Sequence, residues 1–259
     1  MIPLPPLPEQ QRIVARIESL AAKIEEASQL RGQTLEETEV FLARAASQIL
    51  DSPKWNCMRL ECVLAESPRN GLSPQRETES DGRPMLRINA VSSTTTRFVD
   101  LSAYKEVEVA DDVAAPYVLQ HDDVFIVRYN GDINRVAKAA IFKGERNTEV
   151  VYPDKLMRLR TDHKQMLPDF LVVALGSRRV RGQIEELGKT TAGQIGISGR
   201  DAKDFVIPVP PIEEQRRIVA YLDDLQANVD ALKKLQSETA VELAALLPSI
   251  LDKAFKGEL

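Results

Sequence analysis

One stretch occurs twice in this chain and limits what it can fold into. Residues 3–15 read Pro-Leu-Pro-Pro-Leu-Pro-Glu-Gln-Gln-Arg-Ile-Val-Ala, and residues 208–220 read Pro-Val-Pro-Pro-Ile-Glu-Glu-Gln-Arg-Arg-Ile-Val-Ala. Nine of these thirteen positions are identical at a constant offset of 205 residues. A repeat at fixed offset decides architecture before any local propensity is weighed. Each copy opens a helix. In the first, Pro8 suits the opening turn, Glu9 suits the positive end of the helix dipole, and no proline follows until Pro53. Ile13, Ile17, Leu20, Ile24 and Ala27 then recur at spacings of four, three, four and three, and Ile218, Leu222, Leu225, Val229 and Leu232 repeat that series at the same offset. This is the seam of a helix that packs lengthwise against another helix. Helices of about forty residues span roughly 60 Å each. Gly32 weakens the first by about 1 kcal/mol without ending it. Pro248 predicts a kink or break in the second, followed by a short amphipathic turn containing Phe255.

The centre differs in kind. Met85–Ile88, Val124–Val127, Ala139–Phe142, Leu156–Leu159 and Phe205–Val209 are short β-type runs, separated by turn signals such as Asn70-Gly71, Asp81-Gly82, Asn130-Gly131-Asp132 and Lys143-Gly144. Phe170–Gly176 and Arg178–Leu187 read as helices among them. The expected architecture is α+β: one globular mixed α/β domain over 52–207, flanked by long helices over 1–51 and 208–259 that pack as an antiparallel coiled coil.

Charge follows the same division. The net charge of the chain is −5. Residues 52–207 hold 23 Lys/Arg and 22 Asp/Glu, a net of +1, so the flanks carry 11 basic and 17 acidic residues, a net of −6. The acidity lies in the repeated helices, and the centre retains the capacity for a basic face. No run is long and apolar enough to cross a bilayer and no basic-then-apolar leader is visible, which leads to the expectation of a soluble, cytoplasmic chain without membrane contact. Cys57 and Cys62 have only His121 and His163 as nitrogen companions, too few for a zinc site, so two reduced, partly buried thiols are expected and no metal.

The Pro-rich, Glu-Gln-x-x-Ile-Val start of a long helix on both sides of one domain resembles the specificity subunit of type I restriction–modification enzymes. Leu247–Leu259 looks like that family's C-terminus. Leu86-Arg87-Ile88-Asn89, Asp122–Asp132 and Thr190–Ser198 resemble an early strand, a central strand and loop, and the run before the closing strand of its target recognition domains. The family's usual subunit carries two recognition domains; this chain has one between both helices, and so looks like a half-subunit. The resemblance implies a protein that binds double-stranded DNA without catalysing anything. It implies docking of methyltransferase subunits on the paired helices, with cleavage and ATP use in a restriction subunit. A single domain of this size reads only a few base pairs, so a homodimer reading two inverted half-sites around an unread gap is expected.

For the reading surface, Arg128, Tyr129, Asn130, Asn134 and Arg135 lie on one Gly-containing turn. Arginine fits guanine's two acceptors, and asparagine fits adenine's donor–acceptor pair. A solvated hairpin is the alternative. Arg178, Arg179 and Arg181 with Lys189, Thr190 and Thr191 form the densest basic and hydroxyl cluster, suited to phosphates; a charged helix face pairing with Glu185 and Glu186 is its alternative. Arg87, Asn89 and Arg97 are further candidates. Lys155, Arg158 and Arg160 read as strand-face solubility. Glu9-Gln10 and Glu214-Gln215 invite a catalytic reading, but as first-turn residues they serve free backbone amides and the dipole. No phosphate-binding loop, Gly-rich cofactor turn or nucleophile–histidine pair is present, so no cofactor is expected. Two other classes remain open: a stand-alone nuclease holding magnesium on Asp122, Asp123 and Glu145, and a structural coiled-coil adaptor.

Overall fold

The computed structural model describes residues 5–73, 75–79, 81–93, 96–144, 149–187 and 195–258, and shows a mixed α/β chain with small sheets between long helices. Helix α1 runs over Leu7–Leu50, uninterrupted at Gly32, where a side chain would meet nothing within 4 Å. Between the long helices come strands β1 (Cys57–Arg59), β2 (Arg69–Asn70), β3 (Glu77–Thr78) and β4 (Arg83–Leu86), the short helix α2 (Asn89–Ser92), and β5 (Tyr104–Val107). The short helix α3 (Asp111–Ala114), β6 (Val124–Val127), β7 (Tyr129–Asn130), β8 (Ala139–Ile141) and β9 (Leu156–Leu159) follow. Helices α4 (Pro168–Leu175) and α5 (Arg178–Leu187), β10 (Ile195–Gly196), α6 (Gly199–Asp204) and β11 (Val206–Pro208) lead into α7 (Ile212–Lys256).

Helix α7 continues through Pro248, so the expected break is not there. Proline removes one backbone donor, and a single missing bond at an exposed position does not end a helix that is bonded on both sides of it.

Two compact units divide the chain: Met1–Ala45 with Leu222–Leu259, and Ala46–Tyr221. In the first, Ile13, Ile17, Leu20 and Ile24 of α1 and Leu222, Leu225 and Leu232 of α7 are half-buried, and Val229 is buried. The Arg31 guanidinium donates to the Gln236 carbonyl, joining the two helices at residues that are themselves 205 apart.

In the second unit, four antiparallel strands form the central sheet in the order β2-β9-β6-β8. Every residue of β6 and β9 is buried, as expected of strands covered on both faces. Phe125 packs edge-on against Tyr152, with ring centroids 4.8 Å apart, at the centre of a core that includes Leu86, Val91, Leu119, Val127, Phe142 and Leu156. A three-stranded sheet, β3-β5-β4, lies beside a smaller cluster of Leu72, Met85, Val107, Ala114 and Val151. At Gly71 a Cβ would stand 2.3 Å from the carbonyl oxygens of Tyr152 and Pro153, so the turn between β2 and its neighbour needs glycine.

β1 pairs antiparallel with β11, in the register Cys57–Pro208 to Arg59–Val206. Leu60 donates to the Phe205 carbonyl and Val209 to that of Asn56, extending the ladder at both ends. The chain therefore enters and leaves the domain side by side, which places Leu50 and Ile218, both buried, in the same unit. Cys57 and Cys62 are free thiols and exposed, not partly buried as expected, because they fall on the outward positions of β1 and of the 3-10 turn Leu60–Val63.

Candidate nucleic-acid interface

The turn singled out in the sequence is built by Asp132. Its carboxylate accepts from the backbone amide of Asn134 at 3.0 Å and from the Asn134 side chain at 3.1 Å, capping the 3-10 turn Ile133–Arg135. The Asn130 side-chain oxygen accepts from the Asp132 amide at 3.0 Å, and Arg135 lies 3.7 Å from the Asp132 carboxylate. Asx turns of this kind hold short loops without help from regular structure. Arg128 leans over the Tyr129 ring at 5.7 Å. Burial, with the neighbouring Asp154 carboxylate, holds the Tyr129 phenol above its ordinary pKa, so it stays protonated and able to donate.

A second segment joins this turn. β10 pairs antiparallel with β7, Ile195 opposite Asn130 and Gly196 opposite Tyr129, and Ile197 donates to the Arg128 carbonyl at 2.8 Å. Gly196 fits tightly here, since a Cβ would stand 3.0 Å from that of Tyr129. Lys189, Thr190 and Thr191 lie outside the described residues. Ser198, with Asp201 three residues on, then forms a reciprocal capping box that starts α6.

Helix α5 supports the turn from the other side. Arg181 donates through Nη1 to the Val136 carbonyl at 2.6 Å and through Nη2 to the Ile133 carbonyl at 2.8 Å. Burial lowers its pKa, opposed by Glu185 and Asp132. Its guanidinium is thus committed to the turn, a correction to its expected place among exposed phosphate ligands. Arg178, one helical turn earlier on the same face, is exposed; Arg179 is exposed and reaches the Cys57 sulfur. Lys138, which the sequence did not single out, is half-buried just beyond the turn, with its ammonium on the Ser92 carbonyl at 3.3 Å and its pKa lowered by burial and by Arg135. Nothing in a lone lysine between alanines would have marked it.

Other candidates are held elsewhere in the domain. Arg87 donates to the Tyr104 carbonyl at 3.1 Å and pairs with Glu77 at 3.6 Å, while Asn89 is exposed at the start of α2. Arg97 pairs with Asp169 at 3.3 Å and lies over the Phe98 ring. Arg158 and Arg160 are not solubilising strand residues. Arg158 is 3% exposed and donates to Glu66 at 2.8 Å and to the Pro116 carbonyl at 3.2 Å. Arg160 donates to both oxygens of Asp123, at 2.5 and 3.2 Å.

The proposed magnesium ligands are likewise engaged. Asp123 is 1% exposed and neutralised by Arg160. Asp122 pairs with Lys143 at 2.7 Å and sits at φ 71°, in the left-handed region that aspartate tolerates in tight turns. Glu145 lies outside the described residues. Among those residues no group of three or more His, Cys, Asp or Glu is placed to hold a metal. Nor is any helix among them long and apolar enough to cross a membrane. The first-turn glutamates pair with arginines, Glu9 with Arg12 and Glu214 with Arg217, each at 2.7 Å.

The sequence profile described as the type I restriction modification DNA specificity domain matches residues 64–243. The type I restriction enzyme EcoKI specificity subunit of Escherichia coli K12 is 32% identical over all of this chain, which spans 57% of that protein. The StySPI specificity subunit of Salmonella potsdam is 26% identical with the same shares. Among solved structures, the HsdS subunit from Thermoanaerobacter tengcongensis superposes on the whole chain with a TM-score of 0.63 at 30% identity, 61% of that subunit being covered. A chain from a structure describing complex assembly and conformational transition of the type I R-M system gives 0.74 at 30% identity, with 62% of it covered. This chain thus spans under two thirds of the relatives it matches. With the matched profile covering more than half of the residues, the chain belongs to the type I restriction–modification DNA specificity family.

Proposed function

We propose that this chain reads a short sequence in double-stranded DNA as the specificity component of a restriction–modification assembly, with the turn over residues 128–135 as its reading surface. One observation carries the reading: Arg181 pins the Ile133 and Val136 carbonyls from behind, so Arg128, Asn130, Asn134 and Arg135 are offered on a stiffened turn. Base-edge hydrogen bonds need that stiffness, because their discrimination depends on geometry. Arg178 and Arg179, with Lys189, Thr190 and Thr191, supply phosphate contacts that position the domain. The chain itself performs no catalysis.

The long helices form an antiparallel coiled coil that spaces one reader from another. Counting outward from the Arg31–Gln236 bond, half-buried positions fall at 7, 11, 14 and 18 residues in α1 (Ile24, Leu20, Ile17, Ile13) and at 7, 11, 14 and 18 in α7 (Leu243, Leu247, Ile250, Ala254). Equal steps in opposite chain directions support antiparallel packing. Outside the seam, Leu30 and Leu235, again 205 apart, are 56% and 60% exposed, and suit the docking of methyltransferase subunits. The restriction subunit joins that assembly, and cleavage and ATP use belong to it. A second copy of the chain provides the second reader, which makes the target a split palindrome.

Mass measurement in solution, combined with selection of bound DNA from a random pool, tests this. A dimer that selects inverted half-sites at one gap length is expected. A monomer that selects a single half-site removes the second copy, failure to select any DNA removes the recognition reading, and metal-dependent cleavage by the purified chain alone replaces it with the nuclease.

Gly131 offers a cleaner probe of the turn. A Cβ there meets nothing within 4 Å and its φ is not positive, so Gly131→Leu is expected to change stability by no more than about 0.5 kcal/mol. Against a DNA surface the added bulk would collide, and affinity is expected to fall at least about tenfold, a loss of about 1.4 kcal/mol. Wild-type affinity in this variant would remove the turn from the interface.

A further inference from the structure

We infer that Gln215 is a positioning residue that locks the recognition domain onto the first turn of α7, and that it thereby fixes the gap between half-sites; the second half of this rests on the function proposed above. Gln215 is 0% exposed, the only fully covered polar side chain among the described residues of α7. Its amide makes three hydrogen bonds. Nε2 donates to the Pro210 carbonyl at 2.9 Å and to the Gln165 carbonyl at 2.8 Å, and Oε1 accepts from the Leu167 amide at 2.8 Å. Leu167 is the N-cap residue of α4 and its own side chain makes no capping bond; through the Leu167 amide, Gln215 ties the start of one helix to the start of another.

The repeat supplies an internal control. At the equivalent position in α1, Gln10 Nε2 donates to the Pro5 carbonyl at 2.7 Å, and its backbone amide donates to the Pro6 carbonyl, as that of Gln215 does to Pro211. The bond to the proline turn therefore belongs to the helix start itself. The bonds to Gln165 and Leu167 are additional, and they use the remaining donor and acceptor of the same amide. A buried primary amide with both ends bonded to another element's backbone tolerates little displacement, because any shift leaves buried polar groups unpaired. A rigid joint at Gln215 keeps the first turn of α7 fixed to the reader.

The full-length chain carrying Gln215→Ala tests both halves. Leu167 amide exchange with deuterium is expected to accelerate at least about tenfold relative to wild type. Gln10→Ala should leave that amide unchanged. In selection from a random pool, Gln215→Ala is expected to keep the wild-type half-site while accepting gaps one or two base pairs longer or shorter. If Gln215→Ala fails to fold, Leu167→Pro serves instead: its φ of −74° already suits proline, and the change removes the donor to Oε1, together with a half-buried leucine side chain, while leaving Gln215 in place. The same widening of gap length is expected from it. Unchanged exchange at Leu167 in Gln215→Ala overturns the lock. A gap as sharp as in wild type overturns the positioning role, as does a changed half-site, which would mean that the residue acts on the reading surface. A wild-type chain that selects no DNA overturns the recognition reading and the gap with it, while exchange at Leu167 still decides whether the lock exists.

Discussion

Replacing Arg160 with leucine is expected to destabilise the recognition domain by about 3 kcal/mol, the low end of what breaking a buried pair costs. Asp123 keeps only 1% of its surface and, apart from Arg160, accepts a single bond among the described residues, from the Gln120 amide at 2.7 Å. Removing the guanidinium leaves a buried carboxylate just before β6 with no other ion pair among the described residues. The low end applies because the Arg160 side chain is 23% exposed, so water screens part of the interaction now and can reach part of the vacancy afterwards. Asp123→Asn should cost less, since the amide keeps an acceptor for Gln120 and Arg160 retains Glu66 at 3.6 Å. Urea unfolding of the two variants beside wild type measures the difference. If Arg160→Leu costs no more than Asp123→Asn, the pair is not what holds this turn.

The same pair shows where the sequence was legible and where it was not. The long helices could be read because their heptad spacing is local and repeated at a fixed offset, and β6 and β9 because Val124–Val127 and Leu156–Leu159 are dominated by apolar side chains. Arg158 and Arg160 misled for the same local reason. Alternation with leucine signals an outward strand face, but β9 is covered on both faces, and the acids that neutralise the arginines, Glu66 and Asp123, are far away in the chain. β5, Tyr104-Lys105-Glu106-Val107, escaped notice because two of its four residues are charged; its place between β3 and β4 comes from backbone pairing. For the candidate site, the turn at 128–135 was visible from its Asn, Gly and Asp, whereas its brace was not. Arg181 reads like Arg178 and Arg179 beside it, and only the packing of α5 shows that its donors face carbonyls. Gln215 was read as serving free amides at a helix start; its Nε2 serves carbonyls instead, and it accepts from the amide of the residue that precedes a different helix.

That difference between Arg181 and its neighbours makes the α5 arginines the sharpest test of how the domain holds DNA. Neutralising Arg178 and Arg179 together, as Arg178→Gln with Arg179→Gln, is expected to weaken binding to every duplex alike. Because two phosphates then go without a cationic ligand, the slope of log affinity against log salt should flatten by about 1.8, and affinity at low salt should fall on the order of 10–100-fold. Both side chains are exposed, so folding should change by no more than about 0.5 kcal/mol. Arg181→Met should behave differently. It leaves the Ile133 and Val136 carbonyls without their donor, costing about 1–3 kcal/mol of stability. It should also blur base preference, because the turn it supports loses its brace. Binding measured over a range of salt on a preferred and a scrambled duplex separates the two. If the double variant alters which sequence is preferred while its salt slope stays at the wild-type value, Arg178 and Arg179 read bases, and the division between positioning helix and reading turn is wrong.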